Sequence, residues 1–160
     1  MMQTDWADPK MVQWCQYLLD SYAYWVKHEL IERAGTPLEQ AERLFNSAFV
    51  VASHGAEGDP VLNYGNQAAL DLWVMNWQQF TQTPSRLTAE PAKQEERARM
   101  LEQVKKQGYI ADYSGIRISS TGQRFLADSI LIWNIREPKG TVIGQGATFL
   151  TWKYLGVSRL

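Results

Sequence analysis

The sequence has little cysteine, no excess of either charge and no long apolar run. Cys15 is the single cysteine in 160 residues, which excludes an intramolecular disulfide and a cysteine-based zinc site and favours a reducing compartment. The 16 Lys and Arg residues balance 17 Asp and Glu residues, so no basic surplus is available for direct binding to nucleic acid or to an anionic membrane. No segment reaches the roughly 18 apolar residues of a membrane span, and no basic segment followed by an apolar run opens the chain. We therefore expect a cytoplasmic protein without a secretory signal or membrane contacts.

Aromatic residues, by contrast, are abundant. Seven Trp, seven Tyr and five Phe residues contribute to a hydrophobic fraction of 45%. A chain of this length usually folds as one domain and buries about 68–70% of the surface that its unfolded state exposes. The composition therefore predicts one globular core and excludes a disordered or collagen-like chain.

The first third of the sequence predicts two helices. Asp8 is a suitable N-cap before Pro9, and the helix that follows is expected to end near Gly35. An apolar stripe recurs along it at helical spacing: Met11, Cys15, Leu18, Tyr22 and Trp25. Thr36 and Glu39 have the spacing of a capping box, which predicts a second and shorter helix.

The rest of the chain alternates strands with a group of helices. Strands are predicted at 48–53 and 61–64, helices at 66–73, 76–80 and 91–108, and strands at 109–119, 124–135 and 142–154. Adjacent hairpins and grouped helices indicate an α+β fold, in which helices cover one face of a five-stranded antiparallel sheet.

Five segments of the sequence resemble the MEKHLA domain family, whose members have a PAS-like fold. The segments are FVVASHG at 49–55, NYGNQAALDL at 63–72, FTQTPSRLTAEP at 80–91, YSGIRISSTG at 113–122 and GQGATF at 144–149. The resemblance implies a PAS-like domain over residues 47–160, preceded by an N-terminal helical flank over residues 1–46. It also implies a sensory or interaction module that holds a small ligand between the helices and the inner face of the sheet.

The resemblance does not name the ligand, because related PAS domains carry flavin, haem, small acids or nothing. Photochemical flavin binding requires a cysteine between the second and third strands, and Cys15 lies far outside that region. Haem requires an axial ligand, and the helix predicted at 91–108 contains no histidine. We therefore expect neither group, and leave an unidentified small organic molecule as the ligand.

Ten residues are our candidates for ligand binding: His54, Asn66, Trp73, Trp77, Arg86, Tyr113, Arg117, Trp133, Gln145 and Phe149. An arginine at such a pocket can bind a carboxylate through two parallel hydrogen bonds. The alternative for Arg86 and Arg117 is a structural ion pair with Glu90, Asp112 or Asp128. The aromatic candidates either form the walls of the pocket or belong to an ordinary core.

Two further patterns carry little chemistry. The segment 28–32 has His28 followed by Glu32 where a zinc protease needs a second histidine, so it predicts a solvated helix with a Glu29–Arg33 pair. Gly144-Gln145-Gly146 begins like a dinucleotide fingerprint but has no third glycine and no following helix. These glycines are expected to mark a bulge or a close approach of a ligand. No catalytic constellation or metal site is predicted.

Three functions remain open at this point. The first is a non-catalytic sensory module that forms a homodimer through its N-terminal helix, whose apolar stripe is broad; the same stripe can instead cover the sheet of its own chain. The second is a small α+β isomerase or hydratase that uses His54 with Asp71 or Asp128 as its acid–base pair. The third is a pure dimerisation or interaction domain whose pocket is filled by its own aromatic side chains.

Overall fold

The computed structural model describes residues 5–89 and 94–157, and its centre is one antiparallel sheet. The strands are β1 (Val50–Gly55), β2 (Leu62–Gly65), β3 (Tyr109–Ile118), β4 (Gln123–Arg136), β5 (Val142–Phe149) and β6 (Thr151–Val157). Their order is β2-β1-β5-β4-β3, and β6 pairs with the first half of β4. The predicted α+β fold is therefore confirmed. The strand predicted at 142–154 is two strands, because the chain bends at the exposed Leu150.

Five helices surround the sheet: α1 (Pro9–Val26), α2 (Pro37–Phe45), α3 (Gln67–Trp73), α4 (Trp77–Phe80) and α5 (Gln94–Gln107). A short 3₁₀ turn, Ser85–Thr88, lies between α4 and α5. The predicted caps are present, since the side chain of Asp8 accepts from the Lys10 amide and Thr36 forms a capping box with Glu39. The helix start predicted at Pro91 lies outside the described residues. None of the helices in the described part of the chain is long and apolar enough to cross a membrane.

The first helix ends earlier than the sequence predicts. Lys27 has a left-handed backbone with φ of 71°, which stops α1 nine residues before Gly35. Side chains of α2 then hold the irregular segment that follows: Arg43 Nη1 donates to the carbonyls of Glu32 and Ala34, and Gln40 Nε2 donates to Arg33. The predicted Glu29–Arg33 ion pair forms at 3.2 Å, but in this segment rather than on a helix.

The sheet has helices on both faces. The face that we call the inner face packs against α3 and α5, while α1 lies across the opposite, outer face. Asn134 shows both sides of the same strand: its side-chain Nδ2 donates to the Val104 carbonyl of α5, and its own backbone carbonyl accepts from Trp25 of α1. The N-terminal flank and the sheet therefore share one hydrophobic core.

The apolar stripe of α1 covers the sheet of its own chain. Cys15, Leu18 and Tyr22 are buried, and the Tyr22 ring packs edge-on against Trp133 of β4 with centroids 5.1 Å apart. The prediction of a homodimer relied on this stripe being free to contact a partner. These three side chains are buried against the sheet of their own chain and cannot form that contact.

Two glycines of β5 explain the contact between α1 and the sheet. A Cβ on Gly144 would meet the backbone carbonyl of His54 and lie 2.8 Å from the Trp14 ring. A Cβ on Gly146 would lie 2.7 Å from the ring of Trp133. Glycine at both positions lets flat indole rings lie directly on the backbone. The close approach predicted for this segment is therefore made by tryptophans and not by a ligand.

Candidate functional site

A cavity of about 70 Å³ lies between the inner face of the sheet and the helices α3 to α5. Most of its lining is apolar and comes from the strands β1, β2, β4 and β5 and from the helices α3, α4 and α5. The apolar lining residues are Ala52, Leu62, Trp73, Phe80, Met100, Leu101, Ile130, Ile132, Ala147 and Phe149. Polar residues line it at a few points only: Ser53, His54, Ser85, Thr88, Arg117 and Gln145. A mostly apolar cavity with a small number of polar groups is the usual form of a small-molecule site.

Arg117 on β3 is the charged group of this wall. The residue is 9% exposed, and its Nη1 donates to the Ile116 carbonyl at 3.1 Å. Burial lowers the pKa of its guanidinium from the ordinary value, while the nearby Tyr113 hydroxyl and Glu96 oppose this shift. No carboxylate of the described residues forms an ion pair with it. A guanidinium has five N–H donors, so Arg117 has donors beyond the one bonded to Ile116 that a ligand could use.

Gln145 on β5 and Asn134 on β4 form a linked pair beside the cavity. The Nε2 of Gln145 donates to the Oδ1 of Asn134 at 3.1 Å, and Asn134 in turn donates to the Val104 carbonyl. The Oε1 of Gln145 is buried and has no hydrogen-bond partner. The indole Nε1 of Trp73, on the opposite wall, is in the same condition. Two residues of the lining therefore each hold an unused buried polar atom, which is uncommon in a native protein.

His54 lies in β1 and not in the turn that the sequence predicts, because this strand continues to Gly55. It is 9% exposed, and its Nδ1 donates to the Gly55 carbonyl at 2.7 Å, which fixes the proton on that nitrogen in the neutral ring.

The hydroxyl of Thr88 donates to the Ser85 carbonyl at 2.7 Å and so closes the 3₁₀ turn that borders the cavity.

The structure brings together part of the predicted site. The candidates that line the cavity are His54, Trp73, Arg117, Gln145 and Phe149, and Tyr113 lies in an adjoining surface pocket beside Arg117.

The other four candidates lie elsewhere. Asn66 is fully buried and satisfied, because its side chain accepts from Val51 and Ala69 and donates to two carbonyls. Trp77 packs against Phe45 and Tyr64. Trp133 lies on the outer face, where its Nε1 donates to the Leu18 carbonyl at 3.2 Å.

Arg86 is the fourth candidate outside the cavity. It lies at the surface with half of its side chain exposed, and it forms an ion pair with Asp59 at 3.2 Å. Neither Asp112 nor Asp128 pairs with Arg86 or Arg117, and Glu90 lies outside the described residues.

Sequence reasoning chose the wrong face of β4. Ile130 and Ile132 line the cavity, whereas simple alternation from the buried Phe125 and Ala127 would place Trp133 there. Ser129 has φ of 52° and interrupts the alternation, so the residues after it change faces. The signal in the sequence is weak: Asp128 accepts from its own neighbour's amide, a local bond that short polar side chains often form at irregular backbone.

The acid–base pair required by an isomerase or hydratase is not assembled. Asp71 accepts from Gln67 at the surface, and Asp128 accepts from Ser114. None of the described residues in the cavity wall is acidic. The structure therefore does not bring His54 together with Asp71 or Asp128 in the cavity wall.

The cavity also does not fit flavin or haem. A cavity needs about 10–15 Å³ to hold one water molecule, so 70 Å³ holds roughly five. A tricyclic flavin or a porphyrin needs far more space than that. Cys15 lies on the other side of the sheet, where burial raises the pKa of its thiol to about 12. The residues that face the cavity thus offer neither the space nor the reactive thiol that flavin photochemistry requires.

Solved structures confirm the PAS-like architecture. A PAS domain from Colwellia psychrerythraea superposes with a TM-score of 0.59 at 13% identity, over 69% of this chain and 92% of that chain. A light-oxygen-voltage domain solved with a flavin analogue gives 0.58 at 12%, over 74% and 85% of the two chains. An RNA-binding light-oxygen-voltage receptor gives 0.60 at 14%, over 76% of this chain and 34% of the receptor. At these identities the similarity shows the fold alone.

The sequence itself supplies the family. No curated protein matches it significantly. The family model described as the MEKHLA domain, however, matches residues 12–154, which include most of the helix α1 and all the described residues that line the cavity. The chain therefore belongs to the MEKHLA domain family.

Proposed function

We propose that this protein is a non-catalytic sensory module that binds a small organic molecule in the cavity and signals through protein–protein contacts. The observation that carries the proposal is the set of buried polar groups around an otherwise apolar cavity: Arg117, the Oε1 of Gln145 and the Nε1 of Trp73. Unused polar atoms in a protein interior are unfavourable unless something binds them. The PAS-like fold supports the same site, since ligands of such domains lie between sheet and helices.

In this proposal the protein is cytoplasmic, and the surface that contacts the next signalling protein is the N-terminal helix α1. The bond from Trp25 to the Asn134 carbonyl and the bond from Gln145 to the Asn134 side chain connect α1 to the cavity through one residue. A homodimer through α1 would have to use the side that faces solvent, where Tyr24 is 46% exposed. A ligand that moves Gln145 would thereby change the position of α1.

Mass spectrometry under native conditions tests the proposal most directly. Protein purified without denaturants is expected to be colourless and to carry an additional mass that is released on unfolding. Ala147→Leu places a larger side chain in the cavity and is expected to lose this mass, while Ala111→Leu, at an exposed position of β3, retains it. A protein that carries no additional mass, and that no small molecule stabilises, would instead be an interaction domain with a filled pocket.

A further inference from the structure

We infer that the ligand of this cavity is a small organic acid with a single carboxylate, and that Arg117 binds this carboxylate. The inference rests on the function proposed above and specifies its ligand. Four features of the described residues support it: the charge of the cavity wall, access to that charge, the size of the cavity and the two unused polar atoms of its lining.

The charge of the wall is positive, and Glu96, a described carboxylate that acts on it, lies in the adjoining surface pocket and not in the cavity lining. Arg117 is the only arginine or lysine among the described residues that line the cavity, and the lining contains no acidic residue. Its side chain is nine-tenths buried and forms no ion pair with a described carboxylate. A buried cation without an ion-pair partner is unfavourable, and the exposed Glu96 acts on Arg117 from outside the cavity lining, so a ligand with one negative charge would complete the site.

The guanidinium is also reachable from the surface. Arg117 lines both the cavity and a second pocket that opens between α5 and β3, whose other lining residues include Glu96 and Tyr113. The side chain of Arg117 therefore stands between solvent and the cavity. An anion that enters along this route passes the exposed Glu96 and reaches the guanidinium, and the apolar part of the molecule then has the cavity ahead of it.

The size and composition of the cavity limit the rest of the ligand. A volume of about 70 Å³ holds roughly five waters, which corresponds to an acid of about three to five carbons. Ile130, Ile132 and Phe149 form an apolar wall that suits a short carbon chain and not a second charged group. Inorganic phosphate and dicarboxylates are therefore disfavoured.

The sheet and the helix α3, on opposite sides of the cavity, each offer one polar atom that is not in use. The Oε1 of Gln145 can accept from a hydroxyl group, and the Nε1 of Trp73 can donate to a hydroxyl or keto oxygen. Both atoms are buried and lack partners within the part of the chain that the structure describes. A hydroxy or keto acid would use more of these groups than a simple fatty acid.

Isothermal titration with acids and their neutral amides tests the inference. We would titrate the whole chain with propionate, lactate and pyruvate, and with propionamide and lactamide, at constant ionic strength. Wild-type protein is expected to bind at least one of the acids about tenfold or more tightly than its amide, because a hydrogen bond to a charged group contributes at least that factor. Arg117→Met is expected to remove this preference, and Arg99→Met, which replaces an exposed arginine on α5, to retain it.

The outcomes separate the ligand class from the proposed function. Equal binding of acid and amide, or unchanged acid binding by Arg117→Met, would overturn the carboxylate assignment while leaving the binding module intact. Identification of the co-purified mass as a neutral or cationic compound would do the same. If neither the acids nor any co-purified compound bind, both proposals fail. Folding of Arg117→Met is checked by circular dichroism, and the wild-type preference for acid over amide remains informative if this variant does not fold.

Discussion

The tryptophans on the outer and inner faces of the sheet differ in the hydrogen bonding of their indole N–H groups. On the outer face, the indole nitrogens of Trp14, Trp25 and Trp133 each donate a hydrogen bond, to Ser53, Asn134 and Leu18 respectively. On the inner face, the indole nitrogen of Trp73 is buried without a partner. The same type of side chain is thus fully satisfied on one face and incompletely satisfied on the other.

This difference separates a closed packing surface from the proposed ligand site within one sheet. Indole rings lying on Gly144 and Gly146 make the outer face a closed packing surface, as a structural interface requires. The inner face keeps a cavity, a buried arginine and two unused polar atoms. Natural proteins tend to accept such imperfect local packing where function requires it. Substitutions on the two faces should therefore have different consequences.

The largest effect is expected from removal of an outer-face indole. Trp133→Ala deletes a fully buried side chain and its hydrogen bond, and should lower the free energy of unfolding by about 3–5 kcal/mol. Trp73→Ala, the matched change on the inner face, should cost about 1–2 kcal/mol less, because its N–H makes no bond that could be lost. Urea denaturation of both variants measures the difference. Equal losses would contradict the comparison between the two faces.

A smaller effect is expected from two neighbours on β5 that face opposite ways. Gly146→Ala places a methyl group 2.7 Å from the Trp133 ring and should destabilise the protein by about 1–3 kcal/mol. Ala147→Val adds two methyl groups toward the cavity and should leave the stability within about 0.5 kcal/mol of wild type, or increase it. Thermal unfolding of the two variants is the measurement. A destabilised Ala147→Val would show that the inner face has no space to fill.

The order of elements could be predicted from the sequence because its signals are local. The helix predicted from residue 66 begins there, and the side chain of its N-cap Asn66 accepts from the Ala69 amide. The capping box at Thr36 and the proline after Asp8 are equally short-range signals. Such signals depend on residues three or four apart, so they persist whatever the tertiary fold.

The face that each residue occupies could not be predicted, for a common physical reason. Lys27 and Ser129 both have a left-handed backbone, although neither is a residue type that usually marks that conformation. The left-handed backbone at Lys27 ends α1 early. The left-handed backbone at Ser129 exchanges the faces of β4, so that Ile132 lines the cavity where regular alternation predicts Trp133. Gln145 could be placed on the cavity because no left-handed residue other than glycine interrupts β5. Arg117 could be placed there although β3 is irregular at Asp112 and before Gly115, because the pairing from Gly115 to Ile118 is regular.

The ionisation of the Cys15 thiol is expected to have the smallest effect on the free energy of unfolding at neutral pH. At alkaline pH its effect becomes measurable. Burial raises the pKa of this thiol from 9.0 to about 12, so the folded protein holds a proton that the unfolded chain loses above pH 9. The thiol therefore leaves stability unchanged below pH 9 and reduces it between pH 9 and 12, by about 1.4 kcal/mol at pH 10. The buried Tyr64, whose pKa is also raised by burial and by Cys15, contributes in the same direction. Subtracting the urea-unfolding profile of Cys15→Ala from that of wild type isolates the thiol. Identical slopes above pH 9 would mean that the outer face admits water to Cys15, and would remove the sharpest distinction between this closed face and the cavity on the other side.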